Sequence, residues 1–134
     1  MIYLDACVLI KFIRAEPETT ALRSWRTMLP AGTELITSEL SRLEVTRTML
    51  GAGVDHQRVP YLAGEALRGL YVVDLTSTVL ARAVAYRVPQ LGSLDAIHLA
   101  SADPFRSELS EFVTYDKELA RAAVDLGFPV SAPA

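Results

Sequence analysis

The sequence has very little cysteine or histidine: one cysteine, Cys7, and two histidines, His56 and His98, which lie far apart in the chain. A single cysteine excludes an internal disulfide bond, and it leaves no pair of thiols for a zinc site. The histidines form no metal-ligand spacing either. This cysteine usage fits a reducing compartment, and we expect a cytoplasmic protein.

Long apolar runs and excess positive charge are also missing. No apolar stretch approaches the roughly 20 residues that span a bilayer, and no basic segment precedes the apolar residues 1–10, as a signal peptide requires. The net charge is −3, so the whole chain is no electrostatic clamp for nucleic acid. We expect no membrane partner and no passive nucleic-acid-binding module, whereas an acidic site that recruits cations is compatible with the charge.

The sequence has enough apolar residues, 51% of 134, for one domain over residues 1–134. The pattern predicts strands at 2–4, 34–37, 71–75, 111–115 and 128–131. It predicts helices at 6–14, 17–29, 39–50, 55–68, 77–88, 94–102 and 116–126. Because strands alternate with helices, we expect an α/β fold with a mainly parallel sheet covered on both faces.

Local signals refine these elements. Ser38 is a natural N-cap for the third helix, and Leu40, Leu43 and Leu50 predict its apolar stripe. Pro17 suits the first turn of the second helix.

Four acidic residues do not fit an exposed surface. Asp5 and Asp116 directly follow predicted strands, at the sheet edge where ligands bind in parallel α/β proteins. Glu44 borders an apolar stripe, and Asp95 lies in a helix with few polar positions. Each also has a structural explanation: Asp5 and Asp116 as N-caps, Ser41-x-x-Glu44 as a capping box, and Asp95 as a first-turn acid that favours the helix dipole.

If these acids lie close together, their electrostatic repulsion must be compensated, and the means of compensation suggests their function. Two carboxylates ~5 Å apart repel by roughly 3 kcal/mol at an effective dielectric constant of about 20. Four together require retained protons or a shared divalent cation, and oxygen ligands suit Mg²⁺ or Mn²⁺. Such a site activates water and neutralises phosphate charge, so phosphodiester hydrolysis is the natural reaction class.

Four segments in order carry a family resemblance: residues 1–11, 38–45, 94–100 (Leu-Asp-Ala-Ile-His-Leu-Ala) and 112–119. Together they resemble the PIN-domain ribonucleases, and among these the VapC-type toxins of bacterial toxin–antitoxin pairs. The resemblance implies a PIN-like three-layer α/β/α sandwich with four to five strands. It also implies an Mg²⁺- or Mn²⁺-dependent endoribonuclease acting on structured RNA, often tRNA or ribosomal RNA.

The resemblance further implies partners: a homodimer and a small VapB-like antitoxin that lays a helix over the toxin and often presents an arginine to the acids. DNA would be bound only indirectly, through the antitoxin.

By motif match, the resemblance assigns an acidic quartet (Asp5, Glu44, Asp95 and Asp116). Asp5 and Asp95 would be the main metal ligands, Glu44 a ligand or the residue that orients the attacking water, and Asp116 an outer-shell or second-metal carboxylate. Thr114 lies where the family often has a hydroxyl near the site.

The remaining candidate residues are Cys7, His98 and a set of arginines. The family commonly has Ser or Thr where this chain has Cys7, and since a thiol is a weak donor, we expect any bond it makes to the acids to be looser. From the residue types alone, we expect Cys7 to be a small buried hydrophobe and His98 to be a satisfied core or rim histidine. Candidate RNA contacts are Arg14, Arg23, Arg42 and Arg47.

Two other classes of protein are compatible with acids at these positions. A Mg²⁺-dependent phosphoryl-transfer or receiver-like domain also places acids at strand ends. A dehalogenase-like phosphatase, however, needs a second aspartate where Cys7 stands, and a receiver needs adjacent acids and a late lysine, for which only Lys117 is available. A non-catalytic acidic α/β binding protein would use the same acids as caps and would not bind Mn²⁺.

Overall fold

The computed structural model describes all residues from 1 to 134. Its strands are β1 (Ile2–Leu4), β2 (Leu35–Ser38), β3 (Tyr71–Val73), β4 (Glu111–Val113) and β5 (Val130–Ser131). They form one sheet in the order β3-β2-β1-β4-β5, and every neighbouring pair is parallel. The strand that Asp5 follows is therefore the central one.

Seven α-helices connect and cover the strands. They are α1 (Ala6–Ile13), α2 (Thr19–Thr27), α3 (Glu39–Gly51), α4 (Val59–Leu67), α5 (Ser77–Ala85), α6 (Ser93–Ala102) and α7 (Lys117–Asp125). A short 3₁₀ turn, Asp103–Phe105, follows α6. None of the helices combines the length and apolar character that crossing a membrane requires.

Side chains alternate along β1 and divide the core into two parts, one on each face of the sheet. Ile2 and Leu4 belong to the part that α1, α3 and α4 cover. Tyr3 belongs to the opposite part, together with Leu99 of α6 and Leu119 of α7. All three β1 residues are at most 2% exposed, as in a parallel strand covered on both faces. The prediction of a three-layer α/β/α sandwich is confirmed.

The start of α3 matches the sequence prediction, but its buried face does not. Ser38 is the N-cap, and its hydroxyl accepts the backbone N–H of Leu40. Leu43, predicted to lie in the apolar stripe, is 57% exposed, whereas Ser41 is fully buried. Ser41 is accepted in the core because its hydroxyl is 2.7 Å from that of Thr37. Since Ser41 lies inside the helix, the capping-box explanation for Glu44 is excluded.

Three other helix starts differ from the prediction. Pro17 precedes α2, which begins at Thr19. The helix predicted from residue 55 begins at Val59, because the Asp55 carboxylate accepts the N–H of Gln57 and forms a turn first. The predicted opening of α6 by Ser93 is also displaced by one residue: the N-cap is Gly92, and no side chain caps it.

Candidate active site

Asp5 lies directly after the central strand and is also the N-cap of α1. It is 3% exposed, and its Oδ1 accepts the backbone N–H of Val8 at 3.1 Å. Burial raises the pKa of the Asp5 carboxyl, although His98 and hydrogen bonds from Cys7, Thr114 and Val8 act in the opposite direction. Capping and a place in the site are therefore compatible roles for this residue.

Thr114 and Cys7 hold the Asp5 carboxylate from two sides. The Thr114 hydroxyl donates to Oδ2 at 2.5 Å, and the Cys7 thiol donates to Oδ1 at 2.9 Å. The looser bond that we expected from a thiol is not seen in this distance. Burial and the neighbouring Asp5 charge raise the pKa of Cys7, which keeps the thiol protonated as a donor. Thr114 also accepts the backbone N–H of Asp116 at 3.0 Å and so links two of the acidic residues.

Asp116 and Asp95 are positioned by α7 and α6, the helices that cover the other face of the sheet. Asp116 caps α7, and its Oδ1 accepts the N–H groups of Glu118 and Leu119. Asp95 lies in the first turn of α6, is half-buried and makes no hydrogen bond. Burial raises the pKa of the Asp95 carboxyl, and the charges of Asp116, Asp5 and Glu44 raise it further. His98 acts in the opposite direction and lowers this pKa. Asp95 is therefore close enough to the other three acids to interact with them electrostatically.

Glu44 enters the site from α3 and is held by His98. Its Oε1 is 2.6 Å from His98 Nε2, and the other ring nitrogen, Nδ1, is 2.7 Å from the hydroxyl of Tyr3. His98 is 3% exposed and Tyr3 is fully buried. The prediction that His98 is a satisfied core or rim histidine is confirmed, but neither of its partners, Tyr3 and Glu44, was predicted from the sequence. One signal for a place near the acids was available in the sequence: His98 lies three residues after Asp95, so both side chains lie on the same face of the helix.

The residues fit a hydrated divalent cation better than a metal enclosed by protein ligands. No three His, Cys, Asp or Glu side chains lie close enough together to enclose an ion. Magnesium, however, usually binds through one or two carboxylates and takes its other ligands from water and substrate phosphate. No lysine or arginine forms an ion pair with any of the acidic quartet. Asp95, with both oxygens free among like charges, is the carboxylate best suited to a cation.

The arginines suggested as RNA contacts lie in different places. Arg47 lines a shallow cleft of about 280 Å³ together with Glu44 and Leu94. Arg42 pairs with Glu39 on the exposed side of α3. Two others lie away from the acids, Arg14 at the end of α1 opposite Asp5 and Arg23 in α2. Arg47 therefore shares a cleft with a member of the acidic quartet.

Comparison with known proteins identifies the class. Residues 2–125 match the PIN domain family, and this chain therefore belongs to it. Over nearly the full length the chain is similar to two ribonucleases of Mycobacterium tuberculosis. It is 40% identical to Ribonuclease VapC47 and 39% identical to Ribonuclease VapC35, covering 99% of this chain and 97% of each relative. Membership of this family and similarity to named ribonucleases favour a ribonuclease over the phosphatase, receiver and binding-protein alternatives.

Solved structures support the same fold. The VapBC2 structure of Rickettsia felis, bound to a DNA fragment from its promoter, matches with a TM-score of 0.75 and 13% identity over all of both chains. The structure of Mycobacterium tuberculosis VapC20, described as a sarcin–ricin loop cleaving toxin, matches with a TM-score of 0.71 and 16% identity over 96% of each chain. At these identities the likeness concerns the fold alone.

Proposed function

We propose that this protein is a single-domain endoribonuclease, the toxin of a type II toxin–antitoxin pair, which hydrolyses phosphodiester bonds in structured RNA with Mg²⁺ or Mn²⁺. The observation that carries the proposal is the placement of the acidic quartet at one edge of the sheet, where Thr114 links Asp5 to Asp116 and His98 links Glu44 to the helix that carries Asp95. Its support from relatives is the full-length similarity to proteins named ribonucleases. A tRNA or ribosomal RNA substrate is carried over from the family resemblance.

Each acidic residue has a role in this proposal. Asp95 and Asp5 would hold the cation, Asp5 in an orientation fixed by Thr114 and by the start of α1. Glu44 would orient the attacking water or complete the metal site, and Asp116 would act from the outer shell or at a second cation. When bound, the divalent cation neutralises phosphate charge and lowers the pKa of water.

The partners are part of the same proposal. The VapBC structures of Rickettsia felis and of nontypeable Haemophilus influenzae are toxin–antitoxin structures. We infer a VapB-like antitoxin for this chain, contact with DNA only through that antitoxin, and a homodimer. A short reading frame directly upstream of the gene, whose product co-purifies with this chain, would support the antitoxin. Light scattering of the purified protein tests the homodimer.

The activity itself is tested by incubating the purified protein with total tRNA and with ribosomal RNA, with Mn²⁺ or with a chelator. We expect discrete cleavage products with the cation and none with the chelator. Asp125, an exposed acid at the far end of α7, offers a matched control: Asp125→Asn should cut as the wild type does, whereas Asp95→Asn should not. Equal cleavage by the two variants would contradict the assignment.

A further inference from the structure

His98 connects the acidic site to the core through both of its ring nitrogens. Nε2 lies 2.6 Å from Glu44 Oε1, and Nδ1 lies 2.7 Å from the Tyr3 hydroxyl, so a hydrogen-bonded chain joins α3, α6 and β1. These are three of the elements that carry or precede the acidic quartet. The ring cannot turn without losing both hydrogen bonds.

Tyr3 is a rigid support for this ring. Its own ring stacks on Phe112 of β4, with centroids 4.9 Å apart and an interplanar angle of 11°. It meets His98 edge-on at 5.9 Å. A buried tyrosine hydroxyl needs a polar partner, and His98 Nδ1 lies within hydrogen-bond distance of Tyr3 Oη. The hydroxyl therefore fixes the imidazole from the core side.

Glu44 needs such an anchor because nothing else holds its carboxylate. The side chain is 27% exposed, has rotational freedom, and has no hydrogen bond or ion pair except the one with His98. Repulsion from the rest of the quartet favours rotamers that turn Glu44 away into solvent. His98 counters this repulsion from a position one helical turn beyond Asp95.

We propose that His98 is a positioning residue: Tyr3 fixes its ring, and the ring holds the Glu44 carboxylate beside the other acids in the geometry that RNA cleavage uses. The inference rests on the site assignment of the proposed function. With the carboxylate ionised, Nε2 carries a hydrogen and donates it to Glu44, and the Tyr3 hydroxyl is hydrogen-bonded to Nδ1.

Two variants test the chain of hydrogen bonds. Tyr3→Phe removes one hydroxyl and keeps the stacked ring. His98→Gln replaces the ring with a flexible amide that can reach Glu44 but cannot also bond Tyr3 through a second nitrogen. With the RNA that the wild type cuts and Mn²⁺ present, we expect kcat to fall about tenfold in each, with KM nearly unchanged, because cleavage geometry and not RNA binding is altered. Tyr86→Phe is the matched control, since its hydroxyl bonds Asp103 outside the site; it should leave kcat unchanged.

A second measurement needs neither metal nor RNA. In ¹⁵N-histidine-labelled, metal-free protein, two-bond ¹H–¹⁵N correlation spectra should show a hydrogen on His98 Nε2. Tyr3→Phe should shift the resonances of both ring nitrogens, and Tyr86→Phe should not. A bare Nε2 in the wild type would overturn the proposal, because it leaves Glu44 without a donor.

Glu44→Gln separates failure of this inference from failure of the site assignment. If Glu44→Gln still cleaves RNA, the proposed role of Glu44 is wrong, and the inference falls with it. If Glu44→Gln is inactive while folded Tyr3→Phe and His98→Gln keep the wild-type kcat, the site stands and the positioning role of His98 is overturned.

Discussion

Thr114 donates its hydroxyl hydrogen to Asp5 Oδ2 at 2.5 Å, although the two residues are 109 positions apart in the chain. The contact joins the ends of β1 and β4, which are neighbouring parallel strands. Thr114 also accepts the N–H of Asp116. A single buried hydroxyl therefore fixes one acidic side chain and the backbone of another.

Thr114→Val keeps the shape of the side chain and removes both of these hydrogen bonds. We expect a loss of about 1–3 kcal/mol in the free energy of unfolding, because a buried carboxylate oxygen and a backbone N–H lose their partner. RNA cleavage should also decrease. Chemical denaturation measures the first effect, and Thr114→Ser, which retains the hydroxyl, is the control. Equal stability of the Val and Ser variants would mean that the hydroxyl contributes no net stability.

Cys7→Ser replaces a weak donor by a stronger one at the same position next to Asp5 Oδ1. We expect metal-dependent cleavage to persist and the melting temperature to stay the same or rise. Cys7→Ala removes the donor and should melt lower than Cys7→Ser. Loss of cleavage in a folded Cys7→Ser protein would show that the thiol has a role that hydrogen bonding to Asp5 does not explain.

Asp95→Asn keeps the shape of the side chain and removes its charge. Since a bound cation supplies several kcal/mol of charge stabilisation in the transition state, we expect cleavage to fall about 100-fold or more. The fold should be retained, because Asp95 makes no hydrogen bond that a cap would need. Cleavage of the Asp95→Asn and Asp125→Asn proteins is compared at equal concentration with Mn²⁺. A marked drop in the melting temperature of metal-free Asp95→Asn would favour a structural role.

The sequence was sufficient to predict the fold class and the order of the elements, because apolar runs, caps and breakers are local signals. The 13-residue helix α3 has a buried face that local signals did not predict. Leu43 suits an apolar stripe by spacing, yet Ser41 is buried in its place because Thr37, on the preceding strand, satisfies its hydroxyl. A polar pair buried by tertiary contact leaves no periodic pattern in the sequence.

The candidate site likewise has residues that were predicted from sequence and contacts that were not. The acidic quartet and Thr114 were assigned from sequence because each stands in a recognisable motif. The links among these residues are long-range: Tyr3 and His98 are 95 positions apart, and His98 and Glu44 are 54 apart. Tyr3 lies in an apolar strand and looks like ordinary core, so only the folded chain indicates that its hydroxyl faces the site.

The raised pKa of Asp95 predicts a pH dependence of stability. Burial and the other acids favour its protonated form in the folded protein, so the folded chain keeps a proton that the unfolded chain releases near the ordinary pKa of 3.8. The resulting stabilisation is complete below that pH and is lost as pH rises through the higher folded-state pKa. Asp95→Asn cannot lose this proton. Its melting temperature relative to wild type should therefore increase as pH rises.

The measurement is a set of melting curves for both metal-free proteins between about pH 3.5 and 7.5 at constant ionic strength. Other shifted groups, such as Asp5 with its raised pKa and Asp103 with its lowered one, are present in both proteins, and their effects largely cancel in the difference. Mn²⁺ should stabilise the wild type more than Asp95→Asn at neutral pH, because the cation binds only the folded state with the carboxylate in place. A melting-temperature difference that does not vary with pH would mean that burial and the neighbouring acids do not raise the pKa of Asp95 in the folded protein.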